Sequence, residues 1–255
     1  MEKLGLSVIL SLMMLMIPLI AYSKEEIPDQ VTSIEKENTY TQMSEEDATI
    51  EPSDEVKELL EDAKIDIDNP VLIKLLNEST IKPSPFAFGY RANVYLGHWP
   101  LSYQSESSEV NWDFQMVNVN EINNVNGEKK EDLFYYQIEE KHVKGALTAK
   151  AEQSDQINQM ILQQARAQHD LPLTFHAVVG KETKSSKTYS VPESKIGKLK
   201  AYLPAVKDTG QMTLGEVYLE LKGSNKKIVI KNVTKQEIGA YIPVANHLTF
   251  TFETK

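Results

Sequence analysis

Val217-Tyr218-Leu219-Glu220-Leu221-Lys222-Gly223-Ser224-Asn225-Lys226-Lys227-Ile228-Val229-Ile230 decides the fold class. Val217, Leu219 and Leu221 alternate with Glu216, Tyr218, Glu220 and Lys222, a period of two that gives a strand one apolar face. Gly223-Ser224-Asn225 then forms a tight connection into Ile228, Val229 and Ile230. Two such runs across a short Gly-containing link read as an antiparallel β-hairpin.

The same period recurs on both sides of this hairpin. Toward the C-terminus, Leu248, Phe250 and Phe252 mark a last strand. Upstream, Leu171, Leu173, Phe175, Ala177 and Val179 share one parity, as do Ala92, Val94 and Leu96; Trp112, Phe114 and Met116; and Phe134, Tyr136 and Ile138. The last two runs flank a polar loop with Asn126-Gly127, a pair that tolerates positive φ, and are expected to pair as a long-loop hairpin. Between the two groups of strands the period becomes helical. Ile157, Met160, Ile161 and Ala165 form a stripe behind Ser154, the expected N-cap. Two shorter helices precede the strands. One is capped by Ser53 or Asp54 and carries Val56, Leu59, Leu60 and Ala63; the other starts at Asn69-Pro70, where proline suits the first helical position. About eight strands with one long helix make an α+β fold: a mostly antiparallel β-sheet or sandwich with one packed helix and a short helical N-terminal lead-in.

Residues 1–23 read as a signal peptide. A lysine at position 3 is followed by an apolar run from Leu4 to Ala21 and the small-residue site Ala21-Tyr22-Ser23. The expected location is extracytoplasmic, either secreted or tethered by an uncleaved N-terminal helix. Lys24 follows the cleavage site where a lipoprotein would carry cysteine, and the chain contains no cysteine, so disulfides are excluded. The net charge of −10 is unevenly spread. Residues 24–69 hold 16 Asp and Glu against 4 Lys, whereas residues 70–255 hold 20 acids against 22 bases. Residues 24–52 have few large apolar side chains and are expected to be an acidic disordered linker. Residues 53–82 form the helical lead-in, and 83–255 the β-rich domain.

Several catalytic signatures are missing from the sequence: there is no Gly-x-Ser-x-Gly, phosphate loop or dinucleotide fingerprint. The five histidines, His98, His142, His169, His176 and His247, contain no pair at the spacing that places two ligands on one helical face. His176 and His247 fall on the outward parity of their strands. No cofactor or metal is expected. Phe86, Phe88, Tyr90, Tyr95, Trp99 and Tyr103 cluster within 18 residues; most are expected to fill the core, and the rest could serve as a sugar platform. From Lys181 to Lys235 there are 12 lysines against 5 acids. Lys195, Lys198 and Lys200, with Lys226 and Lys227, are the candidate patch for an anionic wall polymer or lipid headgroups, against the alternative of solvated lysines that keep strand edges unpaired. Another envelope protein is the third candidate partner. With only Arg91 and Arg166 as arginines, nucleic acid is not an expected partner.

Several stretches also resemble a known family: Pro83-Ser84-Pro85-Phe86-Ala87-Phe88-Gly89-Tyr90-Arg91, Leu96-Gly97-His98-Trp99-Pro100-Leu101, Asn111-Trp112-Asp113, Val143 to Lys150, Gly215 to Leu219 and Ile228 to Thr234. In this order they resemble the YfkD-like family of exported Bacillus-type proteins over residues 70–255. The resemblance implies an envelope location in a spore-forming Gram-positive organism and carries no functional residue. The expected function is a non-enzymatic binding or structural module at the wall or membrane surface. The alternative is a wall-acting hydrolase or its auxiliary subunit.

Overall fold

The computed structural model describes residues 26–39, 50–82 and 91–255. The signal segment, the rest of the expected linker, and Phe86, Phe88 and Tyr90 lie outside them. Ten strands and three helices are present among the described residues: β1 (Val31–Ser33), α1 (Asp54–Glu61), α2 (Pro70–Glu78), β2 (Arg91–Asn124), β3 (Glu131–Tyr136), β4 (Lys141–Lys144), β5 (Ala146–Leu147), α3 (Ser154–Gln168), β6 (His176–Val179), β7 (Lys184–Val191), β8 (Lys195–Lys222), β9 (Asn225–Pro243) and β10 (His247–Thr254). Every ladder is antiparallel. The α+β class with mostly antiparallel strands stands.

Strand β8 is the spine. β2 runs beside it from Arg91↔Lys222 to Asn124↔Lys195. The opposite edge is shared: β10 pairs with Gly197 to Tyr202, and β9 with Ala205 to Lys222. Pro204, which has no N–H to give a ladder, stands at the changeover. The β2 register also shifts there, between Asn111 and Gln115. The predicted hairpin is present, with Lys222 opposite Asn225 and Gly223 at φ +59°.

Three apolar clusters line this spine in sequence order. Leu199, Ala201 and Leu203 pack with Tyr135, Val143, Val179, Leu248 and Phe250. Val206 and Met212 pack with Ile157, Met160, Ile161 and Ala165 of α3. Val217, Leu219 and Leu221 pack with Val56, Leu59, Leu72 and Leu76 of α1 and α2. Ribbons β3–β7 and β4–β6 cover the first cluster.

Four expectations need correction. The segment 24–52 is not wholly a linker: β1 pairs with β10, and Ile34 is buried in the first cluster. One large apolar residue there is enough, because β10 supplies a ready strand edge. Second, Trp112 and Phe134 do not belong to paired strands: β3 pairs with β7 across the sequence, not with β2. Third, Phe134 and Ile138 are exposed while Leu133 and Tyr135 are buried, and Met116 is exposed while Val117 is buried. Apolar residues occupy both parities in these runs: β3 buries the parity of Leu133 and Tyr135 throughout, and in β2 a bulge at Met116/Asn118 breaks the alternation. Fourth, Ser154 is the first helical residue of α3. Gln153 holds the cap position at φ 57°, with no side-chain cap. Of the two candidates Ser53 and Asp54, Ser53 is the cap of α1; α2 starts at Pro70 as expected, with Asn69 as its cap.

Candidate functional site

A cleft of about 580 Å³ opens where the turn between α1 and α2 meets the middle of the spine and the outer side of α3. Lys64, Asp66 and Asp68 come from the turn; Ser102, Tyr103, Gln104 and Ser105 from β2; Gln164 and Gln168 from α3. Gln211 and Thr213 of β8 and Lys235 of β9 complete it. The lining is mostly amides, hydroxyls and charges. Gln164 and Gln168 are four apart, so one face of α3 presents both while its opposite stripe is buried.

Beneath the cleft, Asp208 is fully buried. The Tyr103 hydroxyl donates to Asp208 Oδ1 at 2.5 Å and the Ser105 hydroxyl to Oδ2 at 2.9 Å. Burial, reinforced by Asp208, holds the Tyr103 hydroxyl far above the ordinary tyrosine range, so it remains a donor. Asn69 fixes the wall between the turn and the strands. Its Oδ1 accepts from Val71 N at 2.9 Å and Leu72 N at 3.2 Å, while its Nδ2 donates to Pro100 O and Gln156 Oε1, each at 2.8 Å. The backbone N–H of Asp68 donates to Leu101 O at 2.7 Å.

Desolvation, then the neighbouring charge of Asp66, raises the Asp68 carboxyl above the ordinary aspartate value. A raised carboxyl pKa means the folded chain holds the proton longer than the unfolded chain. Stability is therefore lost as pH rises from about 4 through the raised value. Asp68→Asn is expected to raise the thermal midpoint at pH 7 more than at pH 3. An equal change at both pH values would count against a strained carboxyl.

The five lysines of the sequence-derived patch do not meet. Lys195, Lys198 and Lys200 lie at one end of β8, whereas Lys226 and Lys227 follow the hairpin at its other end. Lys198 pairs with Glu121 at 2.8 Å, Lys200 with Glu253 at 2.7 Å, Lys226 with Glu55 at 3.0 Å and Lys227 with Glu220 at 3.1 Å. Each neighbouring carboxylate shortens the reach of its lysine's charge. Glu55 and Glu253 are both held below the ordinary glutamate value, first by the lysine hydrogen bond. Of the aromatic cluster, Tyr103 is buried, Trp99 is partly buried with Nε1 donating to Leu96 O, and Tyr95 is exposed beside Tyr218 with ring centroids 5.1 Å apart.

The protein-family profile described as "YfkD-like protein" matches residues 28–255. The chain belongs to the YfkD-like family. It is 44% identical over 236 residues to the Bacillus subtilis (strain 168) protein named "Uncharacterized protein YfkD", covering 92% of this chain and 89% of that one. Among solved structures, one described as "Crystal structure of Lamprey immune protein" aligns with a TM-score of 0.21 and 9% identity, over 64% of this chain and 52% of that chain. A similarity of that size carries no argument about this YfkD-like fold. The family profile begins at residue 28, so it takes in β1 as well as the region that carried the resemblance in sequence.

Sequence reasoning missed the cleft in this YfkD-like chain. Its polar residues come from five separate stretches, and each reads alone as the wet side of a strand or helix. It also missed a meeting of His142 and His176, which sit 34 residues apart on strands β4 and β6.

Proposed function

We propose that this chain is an exported, non-enzymatic binding module of the cell envelope that holds a hydroxyl-rich ligand, a wall glycan segment, in the polar cleft. The lining of the cleft carries the reading: Gln104, Gln164, Gln168 and Gln211 converge with Ser102, Ser105 and Thr213 around one opening. A glutamine amide both donates and accepts, which matches the neighbouring hydroxyls of a sugar ring. The volume is within the usual range for small-ligand sites. The signal-like first 23 residues and the lack of a Gly-x-Ser-x-Gly motif or any cysteine support an exported binding protein.

The test is co-sedimentation of the protein with purified cell wall. Binding through the cleft is expected to survive about 0.5 M salt, which screens surface charges within a few ångströms. It is expected to weaken about tenfold in the double variant Gln164→Ala/Gln168→Ala, a loss near 1.4 kcal/mol. Wild-type retention by that variant would sink the cleft reading. Release by salt, together with loss in Lys195→Glu/Lys198→Glu/Lys226→Glu/Lys227→Glu, would instead favour an anionic polymer held by the lysines.

One observation favours the alternative of a wall-acting hydrolase. Asp68 lines the cleft beside Asp66 with a raised pKa, the condition a general acid needs. Release of soluble fragments from wall by the wild type, abolished in Asp68→Asn, would establish it. No release would remove it.

A further inference from the structure

Ribbon β4–β6 carries two histidines on its outer surface, away from the cleft. His142 Nδ1 lies 3.0 Å from His176 Nε2, with ring centroids 5.2 Å apart. On the far side of His142, Nε2 is 2.7 Å from Glu140 Oε1. An ionised carboxylate only accepts, so a neutral His142 carries its hydrogen on Nε2. Its Nδ1 lone pair then points at His176.

The two nitrogens have the spacing of a chelating pair, and rotation of the two exposed rings would bring both lone pairs onto one cation. Imidazole nitrogens bind a borderline divalent metal at about 2.0–2.1 Å, so two cis nitrogens stand about 2.9 Å apart at a right angle and about 3.4 Å apart at the tetrahedral angle. The observed separation of 3.0 Å falls between these limits. A carboxylate on the other nitrogen of a ligating histidine is the recurrent outer partner that fixes the tautomer and raises ligand basicity. Glu140 occupies that position.

We propose that His142 Nδ1 and His176 Nε2 form a binding site for a borderline divalent cation, Cu²⁺ ahead of Zn²⁺, with Glu140 orienting His142 and water completing the coordination. The preference follows the general order of divalent affinity for nitrogen sites. The cation replaces the hydrogen shared between the two nitrogens. That hydrogen leaves His176 Nε2 to water and His176 Nδ1 takes one up from water, so the ring stays neutral and nothing is oxidised or reduced. Charges on the same ribbon balance formally: Glu139 and Glu140 against Lys141, which contacts Glu139 at 3.9 Å, and Lys144, the cross-strand partner of His176. Among the described residues no group of three or more His, Cys, Asp or Glu is placed to hold a metal. The site is accordingly a two-nitrogen, exchangeable one.

The experiment is Cu²⁺ titration of the full chain, followed by electron paramagnetic resonance and calorimetry. Expected are half-saturation below about 100 µM and hyperfine splitting from two nitrogens. His142→Asn and His176→Asn are each expected to weaken binding at least about tenfold. Glu140→Gln weakens it less, and His247→Asn leaves it unchanged. Both ribbon histidines are exposed, and circular dichroism checks that the variants stay folded. Wild-type affinity in His142→Asn/His176→Asn, or no binding by the wild type below that concentration, overturns the proposal.

Discussion

Gly210→Ala and Gly239→Ala are each expected to destabilise the fold by about 3 kcal/mol, the upper end of the usual cost of overpacking. A Cβ on Gly210 would stand 2.1 Å from the carbonyl oxygen of Gln104, and one on Gly239 would stand 2.2 Å from that of Asp208. Both obstacles are backbone, so no side chain can swing aside. Ladder positions explain the crowding: Gly210 is opposite Ser105 on one edge and Ile238 on the other, and Gly239 is opposite Thr209. β8 is gripped here from both sides. Separating the strands would also pull Tyr103 and Ser105 away from the buried Asp208. Gly223→Ala is the control. Its φ is +59° with nothing within 4 Å, so its cost is the conformational one alone, about 1 kcal/mol. Urea unfolding measures all three. Equal losses would mean that close strand approach is not what these glycines provide.

Asn69→Ala is expected to cost about 2–4 kcal/mol, because one side chain joins three elements. Its carbonyl caps α2, which alone is worth about 1 kcal/mol. Its amide satisfies the Pro100 carbonyl and Gln156 at a fully buried position. Removing it leaves an acceptor without its partner away from water, a further penalty of about 1–3 kcal/mol. Asn69→Asp separates the two roles: the cap is kept, but both donated bonds are lost and a carboxylate is set against two oxygens. It is expected to be no more stable than Asn69→Ala at pH 7 and to recover in acid, where protonation restores one donor. An aspartate variant as stable as wild type at pH 7 would show that only the cap matters.

Local features were legible where one short stretch held the whole signal. The 223–225 turn, the Ser53 cap, the Asn69-Pro70 start of α2 and the apolar stripe of α3 are all of this kind. Strand length was not legible. Gly97, Pro100, Gly210 and Gly215 fall inside strands of 34 and 28 residues. There they mark bulges and close approaches rather than turns. A bulge with one extra residue follows Met116, which is where the alternation that holds at Trp112 and Phe114 fails. The cleft and the histidine pair depend on which distant strands pair, and period-two patterns do not carry that information. The lysines show the converse: two sequence clusters lie at opposite ends of β8, and Lys198, Lys200, Lys226 and Lys227 each have their own carboxylate partner.

The pairing of β1 with β10 sets the order in which this chain can be completed. Val31 waits for Thr249, and the β8 edge from Gly197 to Tyr202 stays open until the same final strand arrives. A chain emerging from its N-terminus has no partner for its first strand until nearly all of it has been made. Contacts this distant in sequence also close slowly. Closure of this edge of the sheet should thus come late, after β8 has paired with β2 and β9.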